Sequence, residues 1–557
     1  MVKRFLNFFG RESGGLHEAA YLLATFAFLS QILGLVRDRL LAHNFGAGLD
    51  LDLYYAAFRI PDFLFVSVAS LVSVSVLIPL LVEKMDEREE SKIFINNVFS
   101  FFFLVIIISC SIVFIFAPTI LKLIFPGFSG EAFEKLILLT RILLLSPIFL
   151  GFSNLLGSIV QARKRFMLYS LSPLIYNLSI ILGIILFVPR MGIVGVSLGV
   201  VIGAFGHFAI LVPFVMKIKM LPTFSLRFFW NDIKTILLLS VPRTLALSMN
   251  HISLLVLLSL ASLLATGSIA IFNLAFNLQS VPLSIVGVSY SLAAFPTLAK
   301  FFANGEKSKF VEQIMIAARH IIFWSLPVAV LFIVLRAQIV RVIFGSGEFS
   351  WSDTRLVAAS LAIFAISVVS QSLNLLFTRG YYAAGNTKKP LIINAISAVL
   401  IILFGFSLLK FFEMSEFFRY FIESLFRVEN LERSAVLMLP LAFSLGMILN
   451  NIMLWLLFQK DFSEPSKKIF GALFHSFSTA IIMGFVSYLG LQIFARSFDQ
   501  NTLTGIFFQG FFAGILGIIA GIFIFTLLGN KEIKEIWNNF HKRFWKARTI
   551  GSDSEIA

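Results

Sequence analysis

Residues 30–61, SQILGLVRDRLLAHNFGAGLDLDLYYAAFRIP, set three charges in a row into an apolar run. The run begins near Tyr21 and carries Arg37, Asp38 and Arg39. A Gly-rich turn follows at Phe45-Gly46-Ala47-Gly48, then Asp52, then a second apolar run that contains Arg59. A charge in a membrane-spanning helix costs roughly 2.5–3.5 kcal/mol on insertion scales, so it persists where it faces a water-filled cavity or a partner. The two runs are therefore expected to be the first two spans and to line a polar, mainly cationic cavity.

The rest of the chain agrees with a membrane setting. Of 557 residues, 58% are hydrophobic and 13% charged, against about a quarter charged in soluble domains. Segments of roughly 20 apolar residues, enough to span a bilayer as a helix, recur along the chain. The expected class is an all-α polytopic membrane protein. A β-barrel is excluded, because its strands alternate apolar and polar residues. Fourteen spans are expected, at 20–42, 53–82, 93–118, 135–160, 167–188, 192–216, 235–264, 269–297, 313–335, 356–379, 389–409, 436–459, 469–495 and 503–528. The first is read as a retained helix and not a cleaved leader, with the amphipathic start VKRFLNFF on the membrane surface.

The net charge of +15 follows topology, not nucleic-acid binding. With both termini cytoplasmic, inside loops hold Arg163-Lys164-Arg165, Lys217, Lys219, Lys300, Lys307, Lys309, Lys388, Lys389, Lys467 and Lys468, and the tail adds six more basic residues. Outside loops hold only Lys122, Arg190, Arg336, Arg341 and Arg496, which fits the positive-inside rule. Residues 410–434 mix Phe pairs with Glu and Arg, and read as a helix lying in the outer interface. Residues 223–233 read as an interfacial linker.

Four short matches recur at offsets of 217–220 residues: Pro173-Leu-Ile-Tyr-Asn177 with Pro390-Leu-Ile-Ile-Asn394, Asn154-Leu-Leu with Asn374-Leu-Leu, Ala57-Phe58-Arg59 with Ala275-Phe276-Asn277, and Pro79 with Pro296. A near-constant offset implies two six-helix halves in parallel orientation, as in some transporters. The expected organisation is an N-terminal lobe at 1–222, a C-terminal lobe at 223–460, two extra helices at 461–530 and a basic cytoplasmic tail at 531–557.

Candidate substrate-binding residues are Arg37, Asp38, Arg59, Arg243, Asn250 and Asp52. Arg37 reads either as a cavity cation for an anionic head group or as a helix-end arginine paired with Asp38. Asp52 reads as a cap or as a partner of an arginine. Arg243 and Asn250 lie seven residues apart, near two helical turns, and so share a face; His251 follows. No phosphate-binding Gly-x4-Gly-Lys-Ser/Thr loop, metal-ligand set or nucleophile constellation is present. Cys110 is the one cysteine and forms no intrachain disulfide. The chain is not expected to be an enzyme. No cofactor is evident; coupling to the membrane potential or a monovalent cation is the open alternative.

The opening stretch resembles the first-and-second-helix motif of the MurJ (MviN) family of lipid II flippases. The matching elements are Gly34-Leu35-Val36-Arg37-Asp38, Phe45-Gly46-Ala47-Gly48, Asp52 and Ala57-Phe58-Arg59-Ile60-Pro61. The run Arg379-Gly380-Tyr381-Tyr382-Ala383-Ala384-Gly385-Asn386-Thr387-Lys388-Lys389-Pro390 is similar to the family's connection at that place. The sequence departs from the family at Leu64–Ser70, which lacks a basic pair, and at Asn277, where the family has arginine.

The resemblance implies the multidrug/oligosaccharidyl-lipid/polysaccharide exporter fold, with two lobes facing each other in a V and a lipid-tail groove in the last two helices. It implies movement of lipid II from the inner to the outer leaflet of a bacterial cytoplasmic membrane. The implied partners are a lipid-linked anionic glycan, membrane lipids and cell-wall synthesis proteins. Alternatives are a flippase for another polyprenyl-pyrophosphate-linked glycan, a drug exporter, and a transport-inactive membrane scaffold.

Overall fold

The computed structural model describes residues 16–69, 88–163, 165–225, 228–462 and 467–535. Among them the regular structure is helical throughout. The first group comprises α1 (Leu16–Phe45), α2 (Leu49–Leu64), α3 (Arg88–Ile124), α4 (Gly130–Leu143), α5 (Leu145–Ala162), α6 (Phe166–Met191), α7 (Ile193–Ala209), α8 (Val212–Lys217) and α9 (Trp230–Ser262). There follow α10 (Ser268–Pro282), α11 (Ser289–Ala303), α12 (Lys307–Val334), α13 (Arg336–Phe344), α14 (Trp351–Ala383), α15 (Lys388–Met414), α16 (Glu416–Phe426), α17 (Met438–Phe462), α18 (Lys467–Phe494) and α19 (Leu503–Leu527).

Eleven stretches are long and apolar enough to cross a membrane among the described residues, where fourteen were expected. The expected spans at 20–42, 53–82 and 235–264 are not among the eleven. Their described parts are helical, in α1, α2 and α9. The first carries Arg37, Asp38 and Arg39; residues 70–82 of the second lie outside the described residues; and in α9 the described apolar stretch is Ser248–Ser262. Residues 70–87, the amphipathic start and the tail beyond 535 lie outside the described residues.

Proline shapes the second span. Pro61 lies inside α2, and the chain continues as a π-helix, Phe65–Ala69. A missing proline N–H breaks the regular ladder and favours such a wider turn. Pro282 does the same in α10, which runs into a π-helix at Leu283–Val288. The two π-helices are separated by the spacing of the sequence repeat.

The chain divides into two compact units. Unit 1 is 1–275, 343–357 and 387–446; unit 2 is 276–342, 358–386 and 447–557. Within unit 1, α6 and α7 pack through small residues. A Cβ on Gly183 would stand 2.6 Å from the Gly199 Cα. Lipid supplies no hydrophobic drive between helices, so close backbone approach provides the attraction. The linker after Met220 is pinned to the first turns of α3: Asn97 both donates to the Phe229 carbonyl (2.9 Å) and accepts from the Phe229 N–H (3.0 Å). Asn96 and Ser100 accept from the Thr223 and Ser225 N–H groups.

The expected surface helix at 410–434 is α16. Ser415 caps it by accepting from the Phe418 N–H, and Arg427 ends it in the left-handed conformation (φ 58°). Ile422 is buried, while Phe417, Tyr420, Phe421 and Leu425 are exposed, as an interfacial helix requires.

In unit 2, α12 packs against α18, and α18 against α19. Gly517 of α19 admits the Ser487 side chain of α18, which fills the space a Cβ would take. Within the same unit, Gln371 of α14 donates to Gln279 (3.0 Å) and Asn374 donates to the Met447 carbonyl (3.2 Å). These two bonds join polar groups across helices.

Candidate functional site

The site is built from the charges of α1 and α2, all within unit 1. Neighbouring residues on a helix point apart, yet Arg37 folds back onto Asp38. Its Nε and Nη2 donate to one carboxylate oxygen at 2.9 and 2.8 Å. Its Nη1 donates to Oδ1 of Asn177, on α6, at 3.2 Å. Asn177 is itself fixed, donating to Ser30 Oγ (3.1 Å) and to the Pro173 carbonyl (3.2 Å). Asp38 is 2% exposed. A buried carboxylate is costly unless paired and hydrogen-bonded, so this arginine is first of all its counter-charge.

Arg37 also lines a cavity of about 390 Å³ between α1 and α6, with Ser30, Gln31, Gly34, Tyr169 and Asn177. Gly34 opens this wall, since a Cβ there would meet no atom within 4 Å. A guanidinium has five N–H donors, and Asp38 and Asn177 take three. The remaining edge suits a phosphate oxygen, for which arginine is the preferred side chain.

Arg59, on α2, donates to Oδ1 of Asn273 on α10. Asn273 is 1% exposed and donates to the Ile269 carbonyl at 2.8 Å. One turn on from Arg59, Asp62 stands 3.5 Å from Nδ1 of His251 on α9. His251 of α9 thus reaches α2. Asn250 is half-buried, and its carbonyl accepts from Ser253 Oγ. Arg243 lies in α9, and its side chain is outside those described.

Asp52 sits apart from the cavity. It is 3% exposed, and its two oxygens accept from the Gly267 N–H (2.6 Å) and the Ala270 N–H (2.7 Å). These are first-turn donors of α10 that have no partner within their own helix, so α2 supplies the cap. The turn before α10 meets the turn before α2: a Cβ on Gly267 (φ +93°) would lie 2.0 Å from the Ala47 carbonyl oxygen. Arg433 crosses the same place, donating to the Ala47 carbonyl (3.0 Å) and pairing with Asp353 (2.8 Å). Arg39 donates to the Ile343 carbonyl and the Glu348 N–H donates to the His43 carbonyl. These bonds fasten one end of unit 1 into a clasp.

Structure thus joins Arg37 with Asp38, and places Arg59 and Asp52 on α2 with separate partners. Sequence reasoning missed Asn177, Asn273, the Asp62–His251 pair and Arg433. Asn177 carried a signal, since it closes the repeated Pro-x3-Asn motif. The others carried none, because their partners lie far off in the chain.

The chain matches known proteins along most of its length. A family model described as lipid II flippase MurJ matches residues 41–509. A probable lipid II flippase MurJ of Buchnera aphidicola is 30% identical over 374 residues, 65% of this chain and 72% of the relative. The lipid II flippase MurJ of Burkholderia cenocepacia is 24% identical over 385 residues, 67% and 75% of the two chains. Among solved structures, a lipid II flippase MurJ in an inward closed conformation superposes with a TM-score of 0.71, at 23% identity, over 93% of this chain and all of that one. An inward-facing multidrug resistance MATE family transporter of the MOP superfamily superposes with a TM-score of 0.63 at 15% identity, over 80% and 98% of the chains. The family model covers well over half of the sequence, and the chain belongs to the MurJ family of lipid II flippases, which are transporters and not enzymes.

Proposed function

We propose that this protein flips lipid II across the cytoplasmic membrane, from the inner to the outer leaflet, and that Arg37 holds the pyrophosphate on the way. The observation that carries the reading is the guanidinium of Arg37, oriented by Asp38 and Asn177 and lining an open cavity. Arg59 supplies a second cation further along the path. The lobes of the sequence repeat rock to alternate access, and the polyprenyl chain stays in lipid while the head group crosses. The inside-negative potential assists outward movement of negative charge by about 2.3 kcal/mol per charge per 100 mV.

With both termini cytoplasmic, the clasp at Ala47, Gly267 and Arg433 lies at the outer end. Asp52 and Arg433 then act as outer fastenings that part when the cavity opens outward. This assigns Asp52 to gating rather than to substrate contact.

The deciding experiment is complementation in cells depleted of their own lipid II flippase. Growth restored by the wild-type protein supports the reading. Failure of a protein shown to reach the membrane overturns lipid II as the substrate and favours another polyprenyl-linked glycan.

A further inference from the structure

Unit 2 contains a cavity of about 640 Å³ at the end of the bundle where α12 and α18 begin and α19 has just ended. Charges of both signs line it: Arg319, His475 and Lys531, with Glu312 and Glu532. The Arg319 side chain is 26% exposed, and its Nε has no hydrogen-bond partner. The nearest carboxylate oxygen, on Glu532, stands 3.8 Å away, and Glu532 is only 7% exposed. A guanidinium Nε that stops short of a hydrogen bond to a carboxylate is left incompletely satisfied.

The wall that carries Lys531 and Glu532 is held in place. Asn530 accepts from the Ile533 N–H at 3.1 Å, and His320 of α12 lies 3.4 Å from Glu535. Beside the cavity, Phe470, Phe474 and Leu527 are more than 60% exposed, which marks a border between hydrocarbon and the charged pocket. Lys300, Lys307, Lys309, Lys467, Lys468, Lys531 and Lys534 cluster at this end of the sequence pattern, which marks it as cytoplasmic.

We propose that this cavity binds the head group of a zwitterionic aminophospholipid of the phosphoethanolamine class, taken from the inner leaflet. The phosphate meets Arg319, Lys531 and His475, and the primary ammonium donates to Glu312 and Glu532. Lipids that carry only the anion leave the carboxylates without a donor. A trimethylated ammonium has no N–H to give. The site is separate from the substrate cavity and does not depend on how that cavity works.

The test uses the full-length purified protein and phosphatidylethanolamine, phosphatidylcholine and phosphatidylglycerol of identical chains, with binding read by native mass spectrometry. Phosphatidylethanolamine is expected to bind about tenfold more tightly than the other two, the size of one charge-assisted hydrogen bond. Glu312→Gln, at an exposed position, should shrink that preference over phosphatidylglycerol, with Glu532 keeping one acceptor, while the protein melts as wild type does. Lys531→Gln should weaken all three phospholipids. Equal binding of the three lipids overturns the proposal. So does preference for phosphatidylglycerol, or ethanolamine selectivity undiminished by Glu312→Gln. Soluble phosphoethanolamine is the last arm: binding as tight as the lipid's would make the occupant a free phosphoamine and overturn the lipid assignment.

Discussion

Two duties are proposed for Arg37, and a single substitution cannot separate them. Arg37→Ala removes the bonds to Asp38 at 2.9 and 2.8 Å and the bond to Asn177 at 3.2 Å. It leaves Asp38, 2% exposed, without its arginine. Breaking a buried ion pair from one side costs about 3–5 kcal/mol. Arg37→Ala is therefore expected to lower the melting temperature and the amount of protein in the membrane, and a growth defect alone would be ambiguous. The double variant Arg37→Ala with Asp38→Asn removes the buried negative charge and should recover most of that stability. Transport should not recover. Two charge-assisted bonds from a guanidinium to a phosphate are worth about 3–6 kcal/mol together, or roughly 10²–10⁴-fold in affinity. The assay pairs thermal melting of the purified variants with complementation of flippase-depleted cells. A double variant that melts like the wild type and still restores growth refutes the substrate role and makes Arg37 a structural counter-ion.

Asn273→Asp places a carboxylate against Arg59, and loses the bond that Asn273 donates to the Ile269 carbonyl. The variant should reach the membrane and yet fail to complement, because the arginine is held by a fixed charge; full complementation would remove Arg59 from the substrate path. Asp52→Asn offers one oxygen where the carboxylate offers two to Gly267 and Ala270. It should cost about 1–3 kcal/mol, the price of one buried N–H left unsatisfied, and an unchanged melting curve would show that the cap carries no load. Gly267→Ala forces a side chain into a positive-φ position (+93°) and to 2.0 Å from the Ala47 carbonyl oxygen. Little monodisperse protein should survive size-exclusion chromatography, and a normal yield would mean that the two turns do not pack this closely.

The membrane fold was legible because hydropathy is a local property. Most of the spans can be read one segment at a time, from about 20 residues each. Of the three expected spans missing from the eleven, the first is crossed by three charges in a row, and the other two include residues or side chains outside those described. The amphipathic character of α16 was readable for the same local reason. The turn chemistry was less visible: nothing in Pro61 or Pro282 announces a π-helix rather than a kink, since either can follow a missing N–H.

Sequence alone determined the class of the protein and its family resemblance, and singled out Arg37 as a candidate. Arg37, Asp38, Asp52 and Arg59 stand in one short stretch and can be seen together. What each does was decided by partners far away in the chain: Asn177 for Arg37, Asn273 for Arg59, the turn at Gly267 for Asp52, and His251 for Asp62. The physical reason is that a polar group in a membrane must be satisfied by whatever helix lies beside it. Neighbourhood in a helical bundle is fixed by packing, and no local pattern encodes it.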